Sequence, residues 1–149
     1  MRRAARTVHE RYEFQEKLGE GAYGVVFKAK SADNDGGEAG TGGLVAIKCC
    51  KKESMSREDR LALYVEVQCL KKCAHGNVMK MHEFVEEGVS ATKGTFYIVT
   101  ELLLGGELFD RIVEKKRYPE GEAAALALGL MRGVSELSRA RRHRREWCP

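Results

Sequence analysis

Alternating apolar and polar positions predict five short β-strands in the first two thirds of the chain. Residues 23–30 show the pattern: β-branched and aromatic side chains come first, and apolar residues then alternate with lysine. Residues 31–43 and 86–94 are rich in glycine or polar side chains, which is typical of loops. The five predicted strands cover residues 12–19, 23–30, 44–50, 78–84 and 95–100.

Apolar residues at helical spacing predict three helices. The first begins after Ser56, which forms an approximate capping box with Asp59, and continues to about Cys73. The second covers residues 107–115. The third begins near Pro119 and carries an apolar stripe formed by Leu126, Leu130, Val134 and Leu137. Strands that are followed by helices predict an α+β fold.

Three glycines, Gly19, Gly21 and Gly24, lie where the first predicted strand turns into the second. Glycines at this spacing let backbone N–H groups approach an anion without a Cβ in the way. The same spacing occurs in dinucleotide-binding folds, but there a helix opens directly at the glycines. Here a strand follows, and the nearest candidate for a ribose-binding acid, Glu38, lies in a polar loop. The pattern therefore favours a glycine-rich hairpin that covers the phosphates of a ligand.

Two charged residues stand within the predicted elements. Lys48 shares one face of its strand with Ala46, whereas Val45, Ile47 and Cys49 share the other. Glu66 lies on the first long helix. A lone lysine on a strand or a lone glutamate on a helix is usually a solvated charge, so the residues by themselves leave both interpretations open.

The charge of the chain is concentrated at one end. The 149 residues carry a net charge of +4, and residues 139–149, with five arginines and one glutamate, contain all of that excess. The basic balance therefore gives no reason to expect nucleic-acid binding by the folded part, and a solvated tail is the simplest interpretation of the arginines. A targeting signal or a nucleic-acid contact is the alternative for that tail.

The composition also bears on the compartment. No apolar run approaches the ~18 residues of a membrane span, and the N-terminus lacks the apolar region of a secretory signal. We therefore predict an intracellular protein without a membrane segment, cytoplasmic or alternatively nuclear. The five cysteines are expected to be free thiols. A metal site that combines Cys69 and Cys73 with Cys49 or Cys50 is the alternative.

Four motifs, in this order, resemble the eukaryotic protein kinase domain over residues 12–137. They are the glycine-rich segment 18–26, Val-Ala-Ile-Lys at 45–48, a helix with Glu66 that leads into His75-Gly76-Asn77, and the segment 96–112. Gly76 stands where the family usually has proline. The sequence Gly-Gly-Glu-Leu-Phe-Asp at 105–110 is most similar to the calcium/calmodulin-dependent group of serine/threonine kinases.

The resemblance implies a kinase-like N-lobe, with a five-stranded antiparallel sheet and one helix, followed by two helices of an incomplete C-lobe. The implied organisation is a basic N-terminal arm at 1–11, the ATP-binding N-lobe and hinge at 12–106, the first C-lobe helices at 107–137, and a divergent arginine-rich tail at 138–149. The implied cofactor is ATP, and the partner of the parent family is a protein substrate.

The resemblance also assigns site residues. Lys48 would pair with the α- and β-phosphates of ATP, and Glu66 would form a supporting ion pair with Lys48. Ala46 would cover the adenine, and Thr100 would stand at the back of its pocket. The remaining assignments are backbone contacts of Glu101 and Leu103 to adenine, Glu107 toward the ribose or a basic substrate residue, and a phosphate lid formed by Leu18, Gly19, Glu20, Gly21, Ala22, Tyr23, Gly24, Val25 and Val26.

The resemblance stops after Leu137. The family's catalytic loop carries His-Arg-Asp, and its Asp, a following Asn and a later Asp act on the substrate hydroxyl and on Mg²⁺. This sequence has His143-Arg144-Arg145 near that place and no aspartate after Asp110, so no metal-binding residues are predicted. Arginine has no acceptor and can neither hold Mg²⁺ nor act as a base. The abrupt change suggests a frame shift, a retained intron or an incomplete gene model, and a deliberately shortened product is the alternative.

Two functions follow from this pattern as expectations. The first is the ATP-binding portion of a serine/threonine kinase, inactive as this isolated chain. The second is a non-catalytic fragment that binds a partner through an exposed helix face or the arginine tail. The apolar stripe of the last helix has few partners in this sequence, so exposed hydrophobic surface and aggregation are predicted. Nothing in the sequence indicates whether calmodulin binds.

Overall fold

The computed structural model describes residues 6–32, 43–88 and 90–142. These residues divide into two compact units, with the described residues up to 68 and from 81 to 102 in the first and those from 69 to 80 and from 103 onward in the second. The secondary structure in chain order is α1 (Val8–Arg11), β1 (Tyr12–Gly21), β2 (Gly24–Ser31), β3 (Leu44–Lys51), a 3₁₀ turn (Lys52–Ser54), α2 (Arg57–Lys72), β4 (Met81–Glu87), β5 (Thr95–Glu101), α3 (Leu108–Lys115) and α4 (Glu120–Arg142).

The first unit contains a five-stranded antiparallel sheet in the order β1-β2-β3-β5-β4. Strands adjacent in sequence are paired in space, except that β5 lies between β3 and β4. The predicted α+β class and the predicted antiparallel sheet are therefore confirmed. The β2 strand begins directly after the turn at the glycines, which confirms a hairpin there and excludes the helix that a dinucleotide-binding fold requires.

The sheet buries apolar side chains on both faces. The outer face carries one core cluster, built around the buried residues Val45, Ile47 and Val99. The inner face carries a second cluster, in which Leu63 and Val67 of α2 contact Phe96 and Ile98 of β5. The alternation along β3 and β5 produces this division, because neighbouring residues of a strand face opposite sides.

The start of α2 confirms the predicted capping box. The Asp59 backbone N–H donates to Ser56 Oγ at 3.0 Å, and the Ser56 backbone N–H donates to the Asp59 carboxylate at 3.2 Å. Two of the N–H groups that a helix leaves without partners are thereby satisfied. The helix therefore begins at Arg57, as the sequence predicts.

A buried lysine secures α2 to the sheet. Lys52 is 1% exposed, and its ammonium donates to the Glu86 carboxylate at 2.6 Å. The Tyr64 hydroxyl of α2 donates to the other oxygen of Glu86 at 2.7 Å. Arg60 donates to the backbone carbonyls of Lys52 and Met55, so the turn before α2 is held by side chains of the helix itself.

The N-terminal segment does not form a solvated arm throughout. Thr7 donates its N–H to Glu10 at 2.7 Å at the start of α1, and Val8 is fully buried in the outer-face cluster. The Val8 N–H also donates to Glu87 at 2.6 Å. Residues 7–11 of the predicted basic arm thus pack against the sheet, because the partners of Val8 lie far away along the chain. Residues 1–5 lie outside the described residues.

Strand β4 begins three residues later than predicted and extends through Glu87. Val78 belongs to a turn instead, in which its N–H donates to the His75 carbonyl at 2.9 Å. The polar end of the strand was predicted as loop, but both glutamates there have partners: Glu86 pairs with Lys52, and Glu87 accepts from the Val8 N–H. These distant contacts stabilise a strand that local composition does not favour.

The second unit contains α3, α4 and the turn at residues 75–78. Gly133 of α4 is required by close packing, because a Cβ there would lie 2.6 Å from the Asn77 carbonyl oxygen. Helix α4 continues to Arg142 and thus includes the first arginines of the predicted tail, and residues 143–149 lie outside the described part. The predicted exposure of the α4 stripe is confirmed: Leu126, Leu130, Val134 and Leu137 are 40, 65, 54 and 37% exposed.

Four cysteines can be described, and Cys49, Cys50, Cys69 and Cys73 are all free thiols. Burial raises the pKa of Cys49 to about 11, and burial likewise raises the pKa of Cys73. Cys148 lies outside the described residues. Among the helices described here, none has the length and apolar character that crossing a membrane requires.

Candidate functional site: the inner face of the sheet and its glycine-rich hairpin

The glycine-rich hairpin has a two-residue turn, Ala22-Tyr23, between the paired residues Gly21 and Gly24. Gly24 is required by the fold itself, since a Cβ there would lie 2.0 Å from the Cys49 carbonyl oxygen of β3. At Gly19 and Gly21 a Cβ would meet no atom within 4 Å. The folded chain therefore has room for side chains at these two positions, and open backbone of this kind can approach a ligand closely.

The strand register places several predicted site residues on one face. Val26 of β2, Lys48 of β3 and Ile98 of β5 are register partners across three strands. The next row along contains Ala46 and Thr100, which are also partners. Directly opposed residues of an antiparallel pair point to the same face. Val26, Ala46, Lys48 and Thr100 therefore line the inner face together.

Thr100 closes the back of this face. Its side chain is buried, with the residue 6% exposed, and Thr100 Oγ1 lies 3.4 Å from the Ala46 carbonyl oxygen, to which it donates. The hydroxyl is thereby satisfied without occupying the space beside Ala46. The small Ala46 and the anchored Thr100 leave an apolar surface on the same face as the Lys48 ammonium.

The predicted ion pair between Lys48 and Glu66 is not formed in the described part of the chain. Both charges nevertheless act on the Cys50 thiol: burial raises its pKa, Lys48 lowers it and Glu66 raises it. Lys48 is half-buried and Glu66 is exposed. Each charge retains contact with water. The electrostatic energy of a solvated ion pair is too small to offset the entropy that two long side chains lose when they are held together.

Three predicted lid residues differ in placement from the others. Val25 is the register partner of Cys49, so it lies on the outer face, away from Lys48. Leu18 stands at a register shift in β1 and is 46% exposed. Glu20 forms a salt bridge with Lys17 within the hairpin, and this hydrogen bond lowers the pKa of Glu20. Strand alternation places the Val25 side chain on the face opposite Lys48, and the part of Val25 in the phosphate lid stays a prediction.

Tyr23, at the tip of the hairpin, lies near the start of helix α2. The Asp59 carboxylate raises the pKa of the Tyr23 hydroxyl, and Asp59 is the capping-box residue of α2. Neither Asp59 nor Ile98 is among the predicted site residues, although both lie in this region. Ile98 could have been found from the alternation of Phe96, Ile98 and Thr100 along β5.

The remaining predicted residues follow β5. Glu101 ends β5 opposite Val45 and is half-buried. Leu103 and Glu107 belong to the second unit, where Leu103 is 65% exposed and Glu107 is the N-cap residue of α3. Glu107 makes no side-chain cap hydrogen bond, and its charge lies at the helix end that favours anions.

The described residues fit ATP better than they fit Mg²⁺. A nucleotide with phosphates suits three features of this face. They are the open backbone at Gly19 and Gly21, the Lys48 ammonium without an ion pair to Glu66, and the apolar surface at Ala46. No three His, Cys, Asp or Glu side chains lie together as a metal site in the residues that can be described. No chemistry that runs through Mg²⁺ can therefore be assigned to these residues.

The comparisons with known proteins agree with this geometry. Residues 12–143 match the family model of the protein kinase domain. The chain is 36% identical over 129 residues to calcium/calmodulin-dependent protein kinase type 1 of Caenorhabditis briggsae. This alignment covers 87% of the chain and 33% of the relative. It is 35% identical over 130 residues to myosin light chain kinase A of Dictyostelium discoideum, covering 87% of this chain and 40% of the relative.

A mammalian relative gives the same result. The chain is 35% identical over 126 residues to calcium/calmodulin-dependent protein kinase type 1B of Rattus norvegicus, covering 85% of this chain and 33% of the relative. The chain thus spans about a third of the length of these curated relatives. The family match covers most of its residues, and the sheet order, the hairpin and the inner-face lysine are in agreement with it. This chain belongs to the protein kinase domain family.

Proposed function

We propose that this chain forms the ATP-binding portion of a serine/threonine protein kinase. The observation that carries the proposal is the inner face of the sheet, where Val26, Ala46, Lys48 and Thr100 are aligned by strand register beneath a hairpin with open backbone at Gly21. Membership of the kinase family supports the same assignment. Bound ATP would supply the γ-phosphoryl group for transfer to a protein hydroxyl.

Each inner-face residue has a defined part in this proposal. The Lys48 ammonium neutralises phosphate oxygens, and the absence of a Glu66 partner in the described structure leaves its charge available for that contact. Ala46 and Val26 present apolar surface to the base, and Thr100 limits its depth. Backbone N–H groups near Gly19 and Gly21 donate to phosphate oxygens without obstruction by a Cβ.

A fluorescent ATP analogue titrated into the full chain tests this function. We expect Lys48→Met to weaken binding by about tenfold or more, because a charge-assisted contact to phosphate is lost. The matched control is Lys30→Met, which removes an exposed lysine at the far end of β2, opposite Leu44 and beyond the two rows that contain Lys48 and Ala46. Equal affinities for the original chain and for Lys48→Met, with both folded, would contradict the proposal.

We also propose that these 149 residues bind nucleotide without transferring phosphate. The sequence offers no aspartate after Asp110, and an arginine stands at Arg145, where the family resemblance would place the catalytic aspartate. Incubation with Mg-ATP and a generic basic peptide tests this proposal by mass spectrometry. Phosphopeptide that forms with the original chain and disappears with Lys48→Met would show that the chain is active.

A second candidate function is a non-catalytic segment that binds another protein. The favouring observation is the exposure of large apolar side chains on both helices of the second unit, with Phe109 at 70%, Leu130 at 65% and Met131 at 68%. A purified partner that binds the original chain and Lys48→Met equally, but not Phe109→Asp, would support this function. Loss of binding with Lys48→Met alone would argue against it.

A further inference from the structure

The outer face of the sheet contains a cavity of about 680 Å³ behind the glycine-rich hairpin. It is bounded by Gly21 and Gly24 of the hairpin, by Cys49 of β3 and by Tyr97 of β5. Cys49 and Tyr97 are register partners, and they face away from Lys48. The cavity and the proposed nucleotide face therefore share the hairpin, but they lie on opposite faces of the sheet.

One end of the cavity is aromatic. His9 stacks on Phe14 with ring centroids 4.6 Å apart, and His9 meets Tyr97 edge-on at 6.0 Å. Phe27 continues the wall, with its ring centroid 5.7 Å from that of Phe14. Helix α1 brings His9 into this position, because the buried Val8 holds the segment against the sheet. These rings present flat apolar surface of the kind that stacks on another aromatic group.

The other end of the cavity is polar and has the cation Lys51 on its wall. Lys51 and Thr95 are register partners there, and Ser54 lies beside them on the cavity wall. The neighbouring Glu53 accepts from the Gly94 N–H at 3.2 Å, and backbone hydrogen bonds, with Lys51 and Lys93 as further contributors, lower the pKa of Glu53. Lys51 itself makes no salt bridge among the residues described.

The single acid on the cavity wall does not offset this charge. Glu20 lines the cavity, but its carboxylate is already paired with Lys17. The Cys49 thiol between the two ends stays neutral near pH 7, because burial raises its pKa to about 11. The cavity is thus divided into an aromatic end and a cationic, hydroxyl-bearing end.

We propose that this outer-face cavity binds a planar aromatic ligand that carries an anionic group. The ring system would stack within the wall formed by His9, Phe14 and Tyr97, and the anion would lie toward Lys51 and the Thr95 hydroxyl. The volume lies within the roughly 300–1,000 Å³ of ligand sites, which are apolar pockets with a few polar groups that fix orientation. Nucleotide binding on the inner face is not required for this site.

Two probes of equal shape and different charge test the proposal: 2-naphthoate and the neutral 2-naphthalenemethanol. Each is titrated into the isotopically labelled full chain, and binding is followed by the shifts of backbone amide resonances. We expect naphthoate to bind more tightly than the alcohol and to shift amides of the hairpin, of β3 near Cys49 and of residues 95–97. Lys51→Gln should weaken naphthoate by about fivefold and leave the alcohol unchanged.

Further variants identify the aromatic end. His9→Ala should weaken both probes, because the exposed ring is lost while Val8 keeps α1 in place. Lys30→Gln is the matched charge control and should leave both affinities unchanged. Equal affinities for the two probes, no effect of Lys51→Gln, or amide shifts confined to α3 and α4 would each overturn the proposal.

Discussion

The Lys52 ammonium lies 2.6 Å from the Glu86 carboxylate and 5.1 Å from the centroid of the Phe96 ring. The Lys52 side chain is 2% exposed and that of Glu86 is 40% exposed, so a buried cation is balanced by an acid at the edge of the sheet. Glu86 also accepts from Tyr64 of α2. The Glu86 carboxylate thus binds both the turn before α2, through Lys52, and α2 itself, through Tyr64.

Glu86→Gln is expected to destabilise the first unit by ~2 kcal/mol, because Lys52 would remain buried without a countercharge. The estimate lies below the cost of breaking a fully buried pair, since water reaches Glu86 and screens part of the interaction. Urea unfolding followed by circular dichroism provides the measurement. Glu114→Gln, which removes an exposed acid of α3, should leave the midpoint unchanged.

The same pair makes stability depend on pH. The hydrogen bond from Lys52 and then that from Tyr64 lower the pKa of Glu86 below its ordinary value of 4.5. The contribution of Glu86 to the free energy of unfolding is therefore present at neutral pH, and it is lost as the pH falls from 4.5 through the lowered pKa. The difference in unfolding free energy between the original chain and Glu86→Gln should shrink over that range. A difference that stays constant down to a pH of about 3 would contradict this assignment.

The glycines of the hairpin should respond differently to the same substitution. Gly24→Ala places a Cβ 2.0 Å from the Cys49 carbonyl oxygen, so β2 and β3 must separate, at a cost of about 1–3 kcal/mol. Gly21→Ala meets open space and should change stability by less than about 0.5 kcal/mol. Thermal unfolding of the two variants side by side decides this. Equal melting temperatures for both would show that β3 does not restrict Gly24.

The exposed stripe of α4 should cause self-association. Leu130 and Val134 are 65 and 54% exposed and lie one helical turn apart. We expect the double variant Leu130→Gln/Val134→Gln to elute later in size-exclusion chromatography and to bind less of the dye ANS than the original chain. Leu61→Gln removes an equally exposed leucine of α2 and is the control. A monomeric original chain with low dye binding would contradict the prediction.

Local sequence predicted most of the fold correctly where neighbours along the chain decide the structure. The Ser56–Asp59 capping box, the hairpin at the glycines and the two-faced β3 strand each depend on contacts within a few residues or on strand alternation. The boundaries of β4 were missed because its two glutamates are stabilised by Lys52 and by the Val8 N–H. Those partners are 34 and 79 residues away along the chain.

The candidate site shows the same division. The sequence by itself determined which residues could meet a nucleotide: open glycines, a strand lysine and a small alanine beside it. Only the tertiary structure decided that β3 leaves no room for a Cβ at Gly24, that Val25 faces the outer side, and that Lys48 forms no ion pair with Glu66. These facts depend on strand register and on where α2 lies over the sheet. Both are determined by burial and hydrogen bonding between segments that are distant along the chain, and a linear pattern of residue types does not specify which distant segments meet.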